Sequence, residues 1–422
     1  MSLLPAWDWQ RSERRIALSP WHGPGVRHEQ WCASPDGEVL AAVARGDAAG
    51  ERVRVNDRYW ERAFDRIWHL RFTPDGRLTA LVSDEGAWTV ATDGQTWQSR
   101  FDFAWRPLFS PDGAHIAVTF QKAMRYGMAV DDICWNNLFL NLTAPQLSPD
   151  GTVGAGAVQA APLTEGDIDA FKRGAYSAAV NGVAWPTRFM NVWQVRFSPD
   201  GRHLAAEVRL GMGEATIAVD GRVWPETFQA VWEPQFSPDG ACVSAPVRTH
   251  TGWTMAQDGR VLWPARFLQC WHHQYSPDGN RIAAIVCPQY GRWTVAVDGL
   301  AWRQHWNEMA TDLTFSPDGG RLAAAVKHDQ QWTIAVDDHC WRHCFQRVWP
   351  PLFSPDGRHV AAMGETPEGY TVAVNDVLAG IRAEWMWPPA FSPSGDQLLL
   401  RAIIDGSYLR QVVQVSRWPD RL

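Results

Sequence analysis

No run in the 422 residues stays apolar for the roughly 18 positions that a membrane-spanning helix needs. The opening residues, MSLLPAWDWQ, lack a basic start, an apolar core and a small-residue cleavage site, so no secretory signal is visible. Cysteine is sparse and odd in number, seven scattered residues with no Cys-x-x-Cys pair and no c-type haem motif, which argues against a disulfide framework. These absences predict reduced thiols in a cytoplasm, with the chain at most peripheral to a membrane. Positive charge is not in excess. Thirty-nine Lys and Arg face 46 Asp and Glu, and a net charge of −7 makes nucleic acid a poor partner. A Gly-x-Ser-x-Gly elbow, a Walker loop and a His-Glu-x-x-His zinc motif are also missing, so the sequence points to no catalytic residues and no cofactor. With 45% hydrophobic and 20% charged residues the chain is not disordered. Tryptophan is the one surplus, at 26 residues.

That surplus sits inside a repeat. Ser-Pro-Asp-Gly or a close variant recurs with its prolines at Pro35, Pro74, Pro111, Pro149, Pro199, Pro238, Pro277, Pro317, Pro355 and Pro393. The spacing is 37 to 40 residues, except for one step of 50. About 20 residues after each proline comes a second turn signal, such as Asp93-Gly94, Asp220-Gly221, Asp298-Gly299 or Asp337-Asp338. Pro presets φ at a turn's first corner, and Asn, Asp and Gly tolerate the positive φ of tight hairpins. Short runs such as Arg321 to Val326 and Trp332 to Val336 flank the turns and read as strands. Four short antiparallel strands every 39 residues make a β-propeller blade. The expected fold is therefore all-β: a single β-propeller of about ten four-stranded blades over residues 1–422, with nine blades and a decorated end as the alternative.

The last unit lacks a fourth strand, and Arg15 to Trp21, within residues 1–21, is expected to supply it and remove two exposed sheet edges. Tryptophans keep three registers: 14 or 15 residues before the proline (Trp60, Trp224, Trp302), six before it (Trp68, Trp193, Trp271), and at the opening of the third strand (Trp88, Trp253, Trp293). Tyr126, Tyr176 and Tyr370 replace Trp in the third register. Placement in every unit predicts packing between blades, with an electron relay as the sharper reading. The long step comes from an insertion in the fourth blade, residues 161–174 (APLTEGDIDAFKRG), expected to be a loop between the second and third strands. Loops on a rigid scaffold often carry function. Glu165, Asp167, Asp169, Phe171, Lys172 and Arg173 are therefore the candidate partner-binding residues, with Phe171 as the anchor. His339-Cys340-Trp341-Arg342-His343-Cys344 contains soft metal ligands, but an extended strand would hold its ends about 13 Å apart, too far for one ion.

Phe-Ser-Pro-Asp-Gly followed by a small-residue strand resembles the WD40-like propeller repeats of the TolB type over essentially the whole chain. With its Trp-Thr-Val-Ala-Val-Asp-Gly units, the chain further resembles the tryptophan-rich subunit of the transmembrane Tmc electron-transfer complex of sulfate-reducing bacteria. That resemblance implies a cofactor-free accessory subunit at the cytoplasmic side of the membrane. Its partners would be an iron–sulfur subunit of heterodisulfide-reductase type and a membrane cytochrome b, alongside a periplasmic multihaem cytochrome c. The expected function is thus a non-catalytic scaffold in sulfate respiration. The alternatives are a module binding a small ligand or peptide in the central channel, and an enzyme using residues at the channel mouth.

Overall fold

The computed structural model describes residues 7–21, 25–46, 50–163 and 166–418. They form ten antiparallel sheets, one per repeat, each with the meander order expected of a blade. The chain is a ten-bladed β-propeller, and the nine-bladed alternative falls. In blades 3, 6 and 9 the first strand is split in two, as in Phe103–Ala104 and Leu108–Phe109. Pro107, Pro234 and Pro351 stand at the three breaks. Proline has no N–H for the ladder, so pairing stops there.

Two turns pin each blade. In the Ser-Pro-Asp-Gly turn the serine hydroxyl donates to the aspartate, as Ser237 does to Asp239 at 2.5 Å, and accepts the N–H five residues on, from Cys242 at 3.0 Å. The serine and main-chain donors hold the carboxyls of Asp112, Asp239 and Asp318 below their ordinary value. At the second turn, the Asp or Asn carbonyl oxygen accepts the N–H that opens the second strand. Leu78 donates to Asp93 and Leu322 to Asp337, both at 2.9 Å. Asp93 lies at φ 49° and Gly94 at φ 84°. A Cβ on Gly94 would come within 3.3 Å of the Trp60 ring of the preceding blade, so glycine is needed there for space as well as for φ. Four blades carry aspartate at the second turn position instead, at Asp57, Asp132, Asp338 and Asp376. Asp132, Asp338 and Asp376 each accept two N–H groups from the blade before, those of Gln98 and Ser99 in the case of Asp132.

By its internal contacts the chain forms two compact units, one from Pro20 to Phe236 and one from Ser237 onward that also takes Trp7–Ser19. In the first, blades 1 and 2 bury Val43, Val53, Trp60, Phe64, Ile67 and Val82 between them. In the second, blades 7 and 8 bury Ile285, Val295, Trp306, Leu313 and Val326. Phe64, Phe101, Phe189, Phe228 and Phe345 form a fourth aromatic register, ten residues before each proline, that the reading of Trp alone passed over. Each bridges back to a residue at the start of the preceding third strand: Glu51, Trp88, Tyr176, Ala215 and Trp332 in turn.

The tryptophan registers do not share one environment. Trp60, Trp135, Trp224, Trp263 and Trp341, in the fourth-strand register, are buried, which is the packing role expected of them. The register six before the proline is far more open: Trp68, Trp105 and Trp193 are 37 to 39% exposed. Its rings lie against the third-strand aromatics, Trp68 on Trp88 at 4.5 Å and Trp271 on Trp293 at 4.6 Å between centroids. The expectation that all three registers are buried between blades is corrected accordingly. Replacing the buried Trp224 by Ala should cost roughly 3–5 kcal/mol, whereas Trp105→Ala should cost markedly less. Chemical denaturation of the two variants checks the order.

Closure of the last blade uses a slightly earlier segment than expected. The strand is Glu13–Ala17, paired antiparallel with Ser407 to Gln411, and Ser19–Trp21 is a 3-10 turn rather than strand. A side chain reinforces the seam. Val90, Met128, Ile217, Val295 and Val372 show that the repeat places an apolar residue two positions after the third-strand opening; the last blade has Arg410 there. Its guanidinium is fully buried and donates to the main-chain carbonyls of Arg11 and Asp8. Deleting residues 1–18 should uncover the edge of Ser407–Gln414 and strand a buried cation, so the truncated protein should aggregate or melt well below the full chain. An unchanged melting temperature by scanning calorimetry would contradict this seam.

Candidate functional site

A groove that recurs between blades belongs to the repeat; a site should break it. Cavities of about 490 Å³ beside Asp239, Trp263 and Asp278, and about 480 Å³ beside Asn56, Trp60 and Asp93, are the same feature in two blade pairs, both at the turn end. One of about 650 Å³, lined by Trp9, Gln397, Gln411 and Arg417, is the seam of the closing segment. A cleft of about 370 Å³ lies at the opposite end, between blades 5 and 6.

Two substitutions within the repeat create it. Trp88, Tyr126, Tyr176, Trp253, Trp293, Trp332, Tyr370 and Tyr408 open the third strand of their blades; blade 5 has Ala215. Without that aromatic, Trp193 loses the ring it would stack on, and the Arg209 guanidinium sits over its indole at 5.6 Å instead. The second change is on the second strand, Leu204–Gly211. At its fourth position the other blades carry Val43, Leu81, Thr119, Ala157, Pro246, Ile285, Ala325 and Met363, with Arg401 in the last; blade 5 has Glu207. Blade 5's first strand bulges between Val192 and Val195, so Glu207 faces Trp193 and Gln194. Trp232 and Glu233, from the first strand of blade 6, complete the lining.

Burial pushes the Glu207 carboxyl up to about 7. The N–H of Glu233, donated to it, opposes the rise, and the Glu233 carboxylate adds to it by like-charge repulsion. A half-buried carboxyl in a cleft also lined by two indoles and a guanidinium can bind and orient a small polar molecule. Among the candidates drawn from sequence, none lines this cleft. The register comparison alone would have found it, since the replacement of apolar residues by Glu207 and of aromatics by Ala215 is visible in the aligned repeats.

The insertion lies where expected, between the second and third strands of blade 4, but is not wholly loop. Ile168–Arg173 is a short helix capped by Asp167, whose carboxylate accepts the Ala170 N–H at 2.8 Å. Asp169 is in its first turn, Lys172 and Arg173 in its last, and all three are exposed. Phe171 is half-buried; Ile168, passed over in the sequence, is 63% exposed. Glu165 lies outside the described residues. The His339 to Cys344 segment also departs from expectation, since strand covers His339–Cys340 alone. Its side chains turn to separate partners. The His339 ring meets the Asp337 carbonyl at 2.8 Å, the Cys340 sulfur accepts from the Trp306 indole at 3.3 Å, and His343 meets Asp376 at 2.9 Å. Among the described residues no three His, Cys, Asp or Glu side chains converge as metal ligands, and no helix is long and apolar enough to cross a membrane.

No protein-family model and no curated protein sequence matches the chain. Solved structures do. A eukaryotic initiation factor aligns over 77% of this chain and 89% of its own at 11% identity and a TM-score of 0.46. The Dos1 propeller aligns over 91% and 92% at 11% identity and 0.35. A TolB of Agrobacterium tumefaciens aligns over 44% and 73% at 18% identity and 0.27.

Glu207 gives this site a pH signature. Folding holds a proton that the unfolded chain releases above about 4.5, so this residue's contribution should decline as pH rises from about 4.5 to 7. The amount is on the order of 3 kcal/mol. Glu207→Gln removes the titration while keeping an acceptor for the Glu233 N–H. The melting temperature of the native chain should therefore fall relative to this variant between pH 5 and 8. Parallel curves would place Glu207 in water.

Proposed function

We propose that this chain is a non-catalytic scaffold that binds other proteins through the loops joining the second and third strands of blades 3, 4 and 5. The propeller fold fits a scaffold or binding module. The observation that carries the finer reading is the chemistry of those three loops. Met124 is 76% exposed, Ile168 63% and Met212 76%. They lie in the same connection, between the second and third strands, of three successive blades of the first unit, at the end of the sheets where Trp105 and Trp193 are also open. Rigid apolar anchors within a polar surround supply most of the energy at protein interfaces. The acidic and basic residues of the insertion, Asp167, Asp169, Lys172 and Arg173, form such a surround.

The partners we infer are redox subunits of a membrane-bound electron-transfer complex: an iron–sulfur subunit of heterodisulfide-reductase type and a cytochrome b. On this reading the chain lies at the cytoplasmic side and carries no cofactor. The Trp-rich units and their resemblance to the Tmc subunit support this choice. Replacing Met124, Ile168 and Met212 together by Ser should leave the melting temperature within a few degrees, since surface changes rarely exceed about 0.5 kcal/mol each. The triple variant should no longer co-purify with those subunits on co-expression. Undiminished co-purification would move the interface elsewhere, and absence of co-purification for the native chain would remove the redox partners.

A further inference from the structure

The cleft of blade 5 departs from the repeat in a direction that costs stability. An apolar residue at position 207 and an aromatic at 215 would seal the gap, as they do in other blades. The chain instead places a carboxyl in a half-buried position and leaves a space of about 370 Å³ beside it. That volume is toward the lower end of the roughly 300–1,000 Å³ of small-molecule sites. Taking a carboxylate out of water is expensive, and its ordinary remedies are a proton or a cation.

We propose that this cleft binds a small organic cation, with an ammonium group held at Glu207 between the indoles of Trp193 and Trp232. The walls favour positive charge in two ways. Glu207 and Glu233 supply carboxylates, and indole faces attract cations through their quadrupole. The chain shows the second preference itself, since the Arg209 guanidinium rests over the Trp193 ring. An anion would meet two carboxylates. A purely apolar guest would leave the Glu207 carboxyl facing it. A bare metal ion lacks convergent ligands here, whereas an alkylammonium group matches both the carboxyl and the rings. The site lies wholly within the first unit and does not use the three loop tips assigned to protein partners. Binding draws on the ionised form of Glu207, so the cation displaces a proton. The charged groups that bear on that step are Glu233 from blade 6 and Arg209 from the same strand.

Isothermal titration calorimetry of the full chain with choline, tetramethylammonium and methylammonium tests this. 3,3-Dimethyl-1-butanol, the uncharged isostere of choline, serves as the control. At least one cation should bind with a Kd below about 1 mM at pH 8, and about tenfold more weakly at pH 6, as the ionised fraction of a group titrating near 7 falls. The isostere should bind at least about tenfold more weakly than choline if charge is what the site reads. Glu207→Val and Ala215→Tyr each restore a residue type used by other blades, so both should fold and melt at or above the native temperature. Each should reduce cation binding more than about tenfold. Glu207→Gln, which keeps shape and main-chain acceptor, should do the same. The proposal is overturned if none of the three cations binds by about 10 mM, if choline and its isostere bind alike, or if Glu207→Gln binds undiminished.

Discussion

Everything in this chain depends on one constraint: a blade is a thin sheet that cannot bury its own faces, so each must be sealed by the next with nearly the same side chains. Alanine and valine on the second strand bring neighbouring sheets close, and the tryptophan after the fourth strand closes the gap that remains. Ala323, Ala324 and Ala325 are completely buried in this way, and Trp341 lies with Ala323 and Ala325 in one apolar cluster. Because the packing is local, it has to be specified again in every repeat. That requirement explains both the high tryptophan content and its regular spacing.

Polar contacts then fix the angles that packing leaves free. The Asp or Asn of the second turn ties the hairpin to the opening of the second strand within a blade. At Asp132, Asp338 and Asp376, which replace glycine, the tie runs to the preceding blade, and His343 adds its ring to the Asp376 carboxylate. Asp376 lies at φ 66°. Aspartate tolerates that region better than most residues, and two accepted main-chain N–H groups offset the strain. Glycine under a tryptophan and aspartate capping two amides are alternative solutions to one geometric problem.

The fold was legible because it is written ten times. Ser-Pro-Asp-Gly, the second turn and the alternating strands each have a local cause, and repetition turns weak signals into a strong one. What escaped the sequence reading was not periodic. All three tryptophan registers are expected to pack between blades, yet Trp60 is buried and Trp68 is open, because one follows the fourth strand and the other stands beside a bulge on the first. The short helix at Ile168–Arg173 escaped because its cap, Asp167, lies in a segment of mixed charge with no periodicity. The cleft escaped because attention went to what the repeats share. Only a comparison of what they fail to share isolates Glu207 and Ala215.

Departures from a repeat differ in what accompanies them, and this separates structure from function. Glu51 stands where eight other blades put an aromatic, and it is answered from within the protein: Arg45 at 2.8 Å, Arg66 at 3.3 Å and the Ile67 N–H at 2.6 Å. Arg410 stands where others put an aliphatic residue, and the carbonyls of the N-terminal segment receive it. Both charges are compensated by groups whose positions they fix, so each does structural work: one joins blades 1 and 2, the other closes the last blade. Glu207 differs. Its protein donor is a main-chain N–H, the neighbouring Glu233 has the same sign, the Arg209 guanidinium lies over the Trp193 ring, and open volume lies beside it where an aromatic ring would have been. A buried charge that the fold answers is part of the fold. One that the fold leaves beside an open space of molecular size places its compensation in a ligand.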